Sequence, residues 1–199
     1  MVEHITDEST VYTYKEFKNL PDDGHRYELH NGQIYMMADA SEYHFDIQRE
    51  ILRQFSNFLD GKTCKVYSER SVRLRYQKDE SDQFTYKPDI CVVCDKSKTH
   101  NYFVAGAPDL IIEIGSPNTG SVDLLEKRHA YQEFGVKEYW IVKDVRTVYQ
   151  YIPDEQGIYR ETPYVSFHGE DIEIPVKIWD GRFAVKLGQF VHEIGGENP

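Results

Sequence analysis

Residues 87–115 read KPDICVVCDKSKTHNYFVAGAPDLIIEIG, and two pieces of this stretch decide the fold. Lys87-Pro88-Asp89 leads into the apolar run Ile90-Cys91-Val92-Val93, and Pro108-Asp109 leads into a second, Leu110-Ile111-Ile112-Glu113-Ile114, which Gly115 closes. Short apolar runs bounded by loops are the pattern of strands buried on both faces, and such strands lie at the centre of a sheet covered by helices. The first run begins at Asp89, and the second carries Glu113 near its end. Two carboxylates at corresponding ends of adjacent central strands make a site for a hard cation. Mg²⁺ is held in this way, by one or two carboxylates with waters and a substrate phosphate completing the octahedron, and one of those waters can attack phosphorus. The competing reading leaves both acids at strand ends facing solvent. Glu113 fits it poorly, because the alternation sets it on the same side of its strand as Ile111.

Downstream, a helix is predicted from about Val122 to Phe134, with Gly135 as its C′ residue. Leu124, Lys127, Tyr131 and Phe134 follow three, four, three spacing, so Lys127 lies in the apolar stripe and not on the polar face of Glu126, Arg128 and Glu133. A lysine there either serves acids inside or packs its stem and carries its charge to water. EYWIVK (138–143) and VYQYI (148–152) read as two further strands. Beyond Asp154 the turn pairs Gln156-Gly157, Thr162-Pro163 and His168-Gly169 alternate with strand-like pieces, and Gly181 to Val191 reads equally as a helix or a strand.

Upstream, Ser41 is placed to cap a long helix that Asp60-Gly61 closes, with Phe45, Gln48 or Arg49, Leu52, Phe55 and Leu59 recurring at three and four. HRYELH (25–30) and QIYMMA (33–38) flank Asn31-Gly32, a pair suited to a type I′ hairpin turn. Thr13 to Leu20 is a short helix with Thr13 as cap and Pro21 just past its end, and KVYSE and VRLRY alternate as strands. The class is α/β: a mixed central sheet flanked by helices, with an N-terminal hairpin and C-terminal strands. No linker divides the 199 residues, so one domain over 1–199 is expected.

Composition narrows the partners. With 40% hydrophobic and 29% charged residues the chain can bury a core, and no apolar run approaches the length of a membrane helix. The acidic N-terminus MVEHITDEST does not resemble a signal peptide, so a cytoplasmic protein without membrane contact is expected. A net charge of -11 argues against coating nucleic acid by bulk electrostatics and leaves a local basic groove or a metal-bridged contact. Cys64, Cys91 and Cys94 are too few and odd in number for a disulfide framework and fit a reducing compartment. Cys91 and Cys94, three apart on a strand, point to opposite faces and are expected as buried thiols, not as half of a zinc site.

The run from Lys87 to Val142 closely resembles the Uma-two family of restriction-endonuclease-like proteins, within the PD-(D/E)XK nuclease superfamily. The resemblance rests on Pro88-Asp89, Glu113-Ile114-Gly115-Ser116-Pro117, Asp123, Lys127, Tyr131 and Gly135-Val136-Lys137-Glu138-Tyr139-Trp140, and extends upstream through Tyr27-Glu28-Leu29, Asn31-Gly32, Met37 and His44. It implies an αβββαβ core and phosphodiester hydrolysis by a metal-activated water. Asp89 and Glu113 match the two acids that bind Mg²⁺ or Mn²⁺. The superfamily's usual lysine stands two residues beyond the Glu, where this chain has Gly115; Lys127 occupies the matching position on the following helix. Glu28 matches an acid after the first helix and is either an exposed strand residue or an accessory site acid. His44 also matches a family position, although a cap or packing role suits a neutral imidazole better than an oxygen-ligand Mg²⁺ site does. Ser116 and Tyr131 are expected to support the site.

The expected function is therefore a metal-dependent DNA endonuclease, with Asp89, Glu113 and Lys127 as catalytic residues. One site per chain and two strands to cut favour a homodimer. Arg70, Arg73 and Arg75, around one hairpin, are the candidate DNA contacts. A nuclease fold that no longer cuts and serves as an interaction module is the competing reading, kept open by Gly115 and the net negative charge.

Overall fold

Asn31 and Gly32 both take positive φ, 47° and 78°, which turns the chain back on itself between two short strands as a type I′ turn requires. The computed structural model describes residues 3–4, 10–115, 121–166 and 170–188. In chain order its elements are β1 (Glu3–His4), α1 (Tyr14–Phe17), β2 (Tyr27–His30), β3 (Gln33–Met36), α2 (Glu42–Leu59), β4 (Lys65–Ser68), β5 (Ser71–Arg73), β6 (Thr85–Tyr86), β7 (Ile90–Val93), β8 (Phe103–Ala105), β9 (Leu110–Ile114), α3 (Ser121–Glu133), β10 (Glu138–Asp144), β11 (Thr147–Pro153), β12 (Tyr159–Val165), β13 (Glu173–Pro175) and β14 (Ala184–Lys186). The turn of His168-Gly169 and the tail beyond 188 lie outside the described residues.

The central sheet runs β12-β11-β10-β9-β7-β4. Strand β7 is antiparallel to both β4 and β9, while β10 is parallel to β9, the arrangement that the crossover helix α3 imposes. Elements α2, β4, β7, β9, α3 and β10 are thus the αβββαβ core, and the fold is restriction-endonuclease-like. A second sheet, β1-β3-β2-β6-β5-β8, takes in the N-terminal hairpin together with strands that leave the central sheet and return to it.

Alternation along the central strands divides the interior. Ile90, Val92, Leu110, Ile112, Ile114, Trp140 and Val142 pack with Ile47, Ile51, Phe55 and Leu59 of α2 and with Ile174, Val176 and Val185 of the C-terminal pieces. Cys91, Val93, Ile111, Tyr139 and Ile141 face the other way, onto Ala130 and Tyr131 of α3 and onto Val72, Leu74, Tyr86 and Val104 of the second sheet. The C-terminal end is tied in by Glu138. Its carboxylate accepts from Trp140 Nε1 and Gln150 Nε2, both at 2.7 Å, and from the Ile178 N–H at 2.8 Å.

Five expectations are corrected. Thr162-Pro163 makes no turn: both residues lie within β12, paired with Gln150 and Tyr149 of β11. The buried stripe of α2 is His44, Ile47, Gln48, Ile51, Phe55 and Leu59, whereas Phe45 is 46% exposed; spacing by three and four fits both stripes, and Ile47 with Ile51 selects the observed one. KVYSE and VRLRY do not pair, because β4 lies in the central sheet and β5 in the second. Arg73 is no free DNA contact: it is 2% exposed, bonded to Asp82 and stacked 3.7 Å from the Tyr14 ring. Cys94 is not a thiol. Lys65 pairs with Val93, so Cys64 and Cys94 face each other one step further along the ladder and form a disulfide, leaving Cys91 as the buried free cysteine.

Candidate active site

Pro88 locks its own φ and keeps Lys87 extended, which carries the chain from β6 of the second sheet straight into β7 of the central one. Asp89 sits at that junction. Its carboxylate is held at both oxygens: Oδ2 accepts the Ile114 N–H at 2.6 Å, and Oδ1 lies 3.0 Å from His44 Nε2. Its carbonyl accepts from Gln48 Nε2 at 2.9 Å and from the Glu69 N–H at 3.2 Å. The imidazole of His44 thus reaches Asp89, while its backbone N–H is capped by Ser41 Oγ.

Glu113 projects from β9 toward α3. Its Oε1 accepts from the Tyr131 hydroxyl at 2.7 Å and lies 3.5 Å from Lys127 Nζ. Lys127 is nearer to Glu28, at 2.8 Å from Oε2, and the other oxygen of Glu28 accepts the Lys87 N–H at 2.8 Å. Glu28 is therefore buried, not an exposed strand residue, because β2 lies beside β6 and turns this side chain onto α3. Tyr86, whose ring meets Tyr131, completes the wall, and its hydroxyl is bonded to His30 Nδ1. A polar cleft bordered by Glu28, His30, Tyr35, Tyr86, Glu126 and Lys127 adjoins the lysine.

Two carboxylates, Glu28 and Glu113, share one ammonium in this buried place, and the charge of Asp89 is felt by Glu113. Burial pushes Glu113 up to about 8, Asp89 and Glu28 add to the rise, and Lys127 and the Tyr131 hydroxyl oppose it. Tyr131 is raised well above its ordinary value, first by burial and then by the negative charge of Glu113 and Glu28. The site accordingly has a strong appetite for positive charge. Asp89 and Glu113 offer the hard oxygen donors that Mg²⁺ or Mn²⁺ takes, and each carboxylate has more lone pairs than its protein donors use. Among the described residues no three His, Cys, Asp or Glu side chains are grouped so as to cage a metal ion; two carboxylates with waters and substrate oxygens suit Mg²⁺ without such a cage.

Of the residues expected from sequence, Glu28, His44, Asp89, Glu113, Lys127 and Tyr131 come together; Ser116 lies outside the described residues. Gln48, Tyr86, His30 and the N–H groups of Lys87 and Ile114 were not anticipated. A glutamine in an apolar stripe is a readable signal, whereas backbone donors leave no trace in a sequence.

A protein-family model described as "Putative restriction endonuclease", Uma2, matches residues 14–179. The chain belongs to the Uma2 family. A crystal structure of a "putative nuclease belonging to DUF820" from Anabaena variabilis superposes with a TM-score of 0.69, covering 88% of this chain and 94% of that one at 20% identity; at that identity it speaks for the fold. An uncharacterized protein of Synechocystis sp. is 31% identical over 98 residues, 49% of this chain and 50% of its own length. The chain thus matches about half the length of that curated relative. The Uma2 match spans the whole constellation from Glu28 to Tyr131. No helix among the described residues is long and apolar enough to cross a membrane.

Proposed function

We propose that this Uma2 chain is a metal-dependent DNA endonuclease in which Asp89 and Glu113 hold Mg²⁺ or Mn²⁺ and Lys127 acts beside them. The observation that carries the reading is the burial of Lys127 between Glu28 and Glu113, with Asp89 just before the neighbouring central strand β7 and bonded to the Ile114 N–H beside Glu113. When bound, the ion would polarise the phosphate and lower the pKa of the attacking water. The chain's own part is positioning and charge. Glu28 and Glu113 pair with Lys127 and aim it inward; its ammonium would offset charge that builds on the phosphate oxygens, an effect strengthened where water is excluded. Tyr131 fixes the Glu113 carboxylate, and the Ile114 N–H with His44 fixes that of Asp89.

The test is direct. Purified protein is incubated with supercoiled, linear and single-stranded DNA in Mg²⁺, Mn²⁺ or EDTA. Divalent-dependent cleavage by the wild type and none by Asp89→Ala is the expected result. Cleavage that survives Asp89→Ala, or no cleavage with any ion, would sink the reading.

A further inference from the structure

Asp89 is gripped at its backbone as well as at its carboxylate, and the backbone grip comes from a residue with no part in the chemistry proposed above. Gln48 follows His44 by one helical turn on α2, in a buried stripe whose other members are His44 and the apolar Ile47, Ile51, Phe55 and Leu59, and it is 7% exposed. Leucine or methionine would fill that volume without an amide to desolvate, so a glutamine is tolerable there only because its amide is bonded. Its Nε2 donates to the Asp89 carbonyl at 2.9 Å, while His44 Nε2 holds Asp89 Oδ1. The same helix therefore holds one acid at two points, its main chain and its side chain.

We infer that Gln48 is a positioning residue, which fixes the Asp89 peptide plane and so the direction in which the Asp89 carboxylate meets the metal and Glu113. The inference rests on the nuclease reading. Pro88 restrains the chain on the N-terminal side of Asp89, and Gln48 restrains the peptide on its C-terminal side; between them the Cα–Cβ direction of Asp89 is set. Outer contacts that orient a metal ligand typically matter 10–100-fold in affinity or activity. The Glu69 N–H also reaches the Asp89 carbonyl, so losing the amide leaves that oxygen one partner and the strand its place.

A control lies on the same helix. Gln54 exchanges two hydrogen bonds with the backbone of Lys186, which fasten β14 to α2, and also donates to Glu50 on its own helix, away from Asp89. In the full-length protein, Gln48→Met should lower kcat, or the affinity for Mn²⁺ read by electron paramagnetic resonance, by about 10–100-fold, with KM for DNA and the melting temperature in EDTA close to wild type. Gln54→Met should do the reverse, lowering the melting temperature and sparing kcat. If Gln48→Met folds poorly, Gln48→Leu carries the same expectation. Should the Gln48 variants keep both kcat and Mn²⁺ affinity, or lose them only in step with their melting temperature, the inference fails while the nuclease reading stands. A wild type that neither cuts DNA nor binds Mn²⁺ overturns both.

Discussion

Lys127 is the residue on which most depends, since its ammonium faces Glu28 and Glu113 in a buried place. Replacement by methionine keeps the stem and removes the charge. Lys127→Met is expected to stay folded and to bind metal, and to lose cleavage by about 10²–10³-fold, the scale of one electrostatic stabiliser; single-turnover cleavage at saturating Mg²⁺ reads it, and an unchanged rate would reduce Lys127 to packing. A second residue predicts a pH dependence. Burial raises the pKa of Glu138 above its ordinary 4.5 despite its three donors. Below about pH 4.5 the group is protonated folded or unfolded; as pH rises the unfolded chain releases the proton first, so stability falls until the folded value is passed. Glu138→Gln mimics the protonated form and should flatten that part of the stability curve in urea titrations. At this scale the sequence was partly legible. A lysine in an apolar stripe announced itself, but the bond from Gln48 to a carbonyl needed the fold to bring the carbonyl there.

Elements were read more fully than their partners. The long helix α2 and the buried strands β7 and β9 follow from period and caps, because those signals are local. Which sheet a half-buried strand joins is decided by distant partners, and alternation is the same in either, so pattern alone does not separate β4 from β5. The disulfide of Cys64 with Cys94 depends likewise on the register of β4 with β7, which no spacing within either strand encodes. The start of α2 gives an element-scale prediction. Ser41→Ala removes the acceptor of the His44 N–H, which should cost about 1 kcal/mol and lower the melting temperature by about 2–4 °C for a chain of this size. Calorimetry checks it; no change would mean that tertiary packing alone holds the first turn.

At the scale of the molecule, the proposed encounter with DNA is a matter of charge. With a net charge of -11 the surface as a whole repels phosphates, and Arg73, committed to Asp82, does not offset that. Binding to a duplex oligonucleotide, read by fluorescence anisotropy, should be weak in EDTA, strengthen with a non-turnover divalent ion such as Ca²⁺, and fall steeply with added salt. Tight binding in EDTA that persists at high salt would overturn this, because it would need non-ionic contacts with the DNA and no metal bridge.

The two sheets share the chain by turns: β4 belongs to one, β5 and β6 to the other, β7 to the first again, then β8 and β9 part once more. Translation therefore cannot finish either sheet before much of the other has emerged, and the proposed centre needs Glu28 from the early chain, Asp89 from the middle and Lys127 from α3. Chains leave the ribosome at about 5–20 residues per second and fold by cooperative units. A nascent chain stopped before α3 holds carboxylates but no ammonium to set against them. Under the nuclease reading the constellation is complete only once α3 has emerged, so a chain truncated before it would lack Lys127.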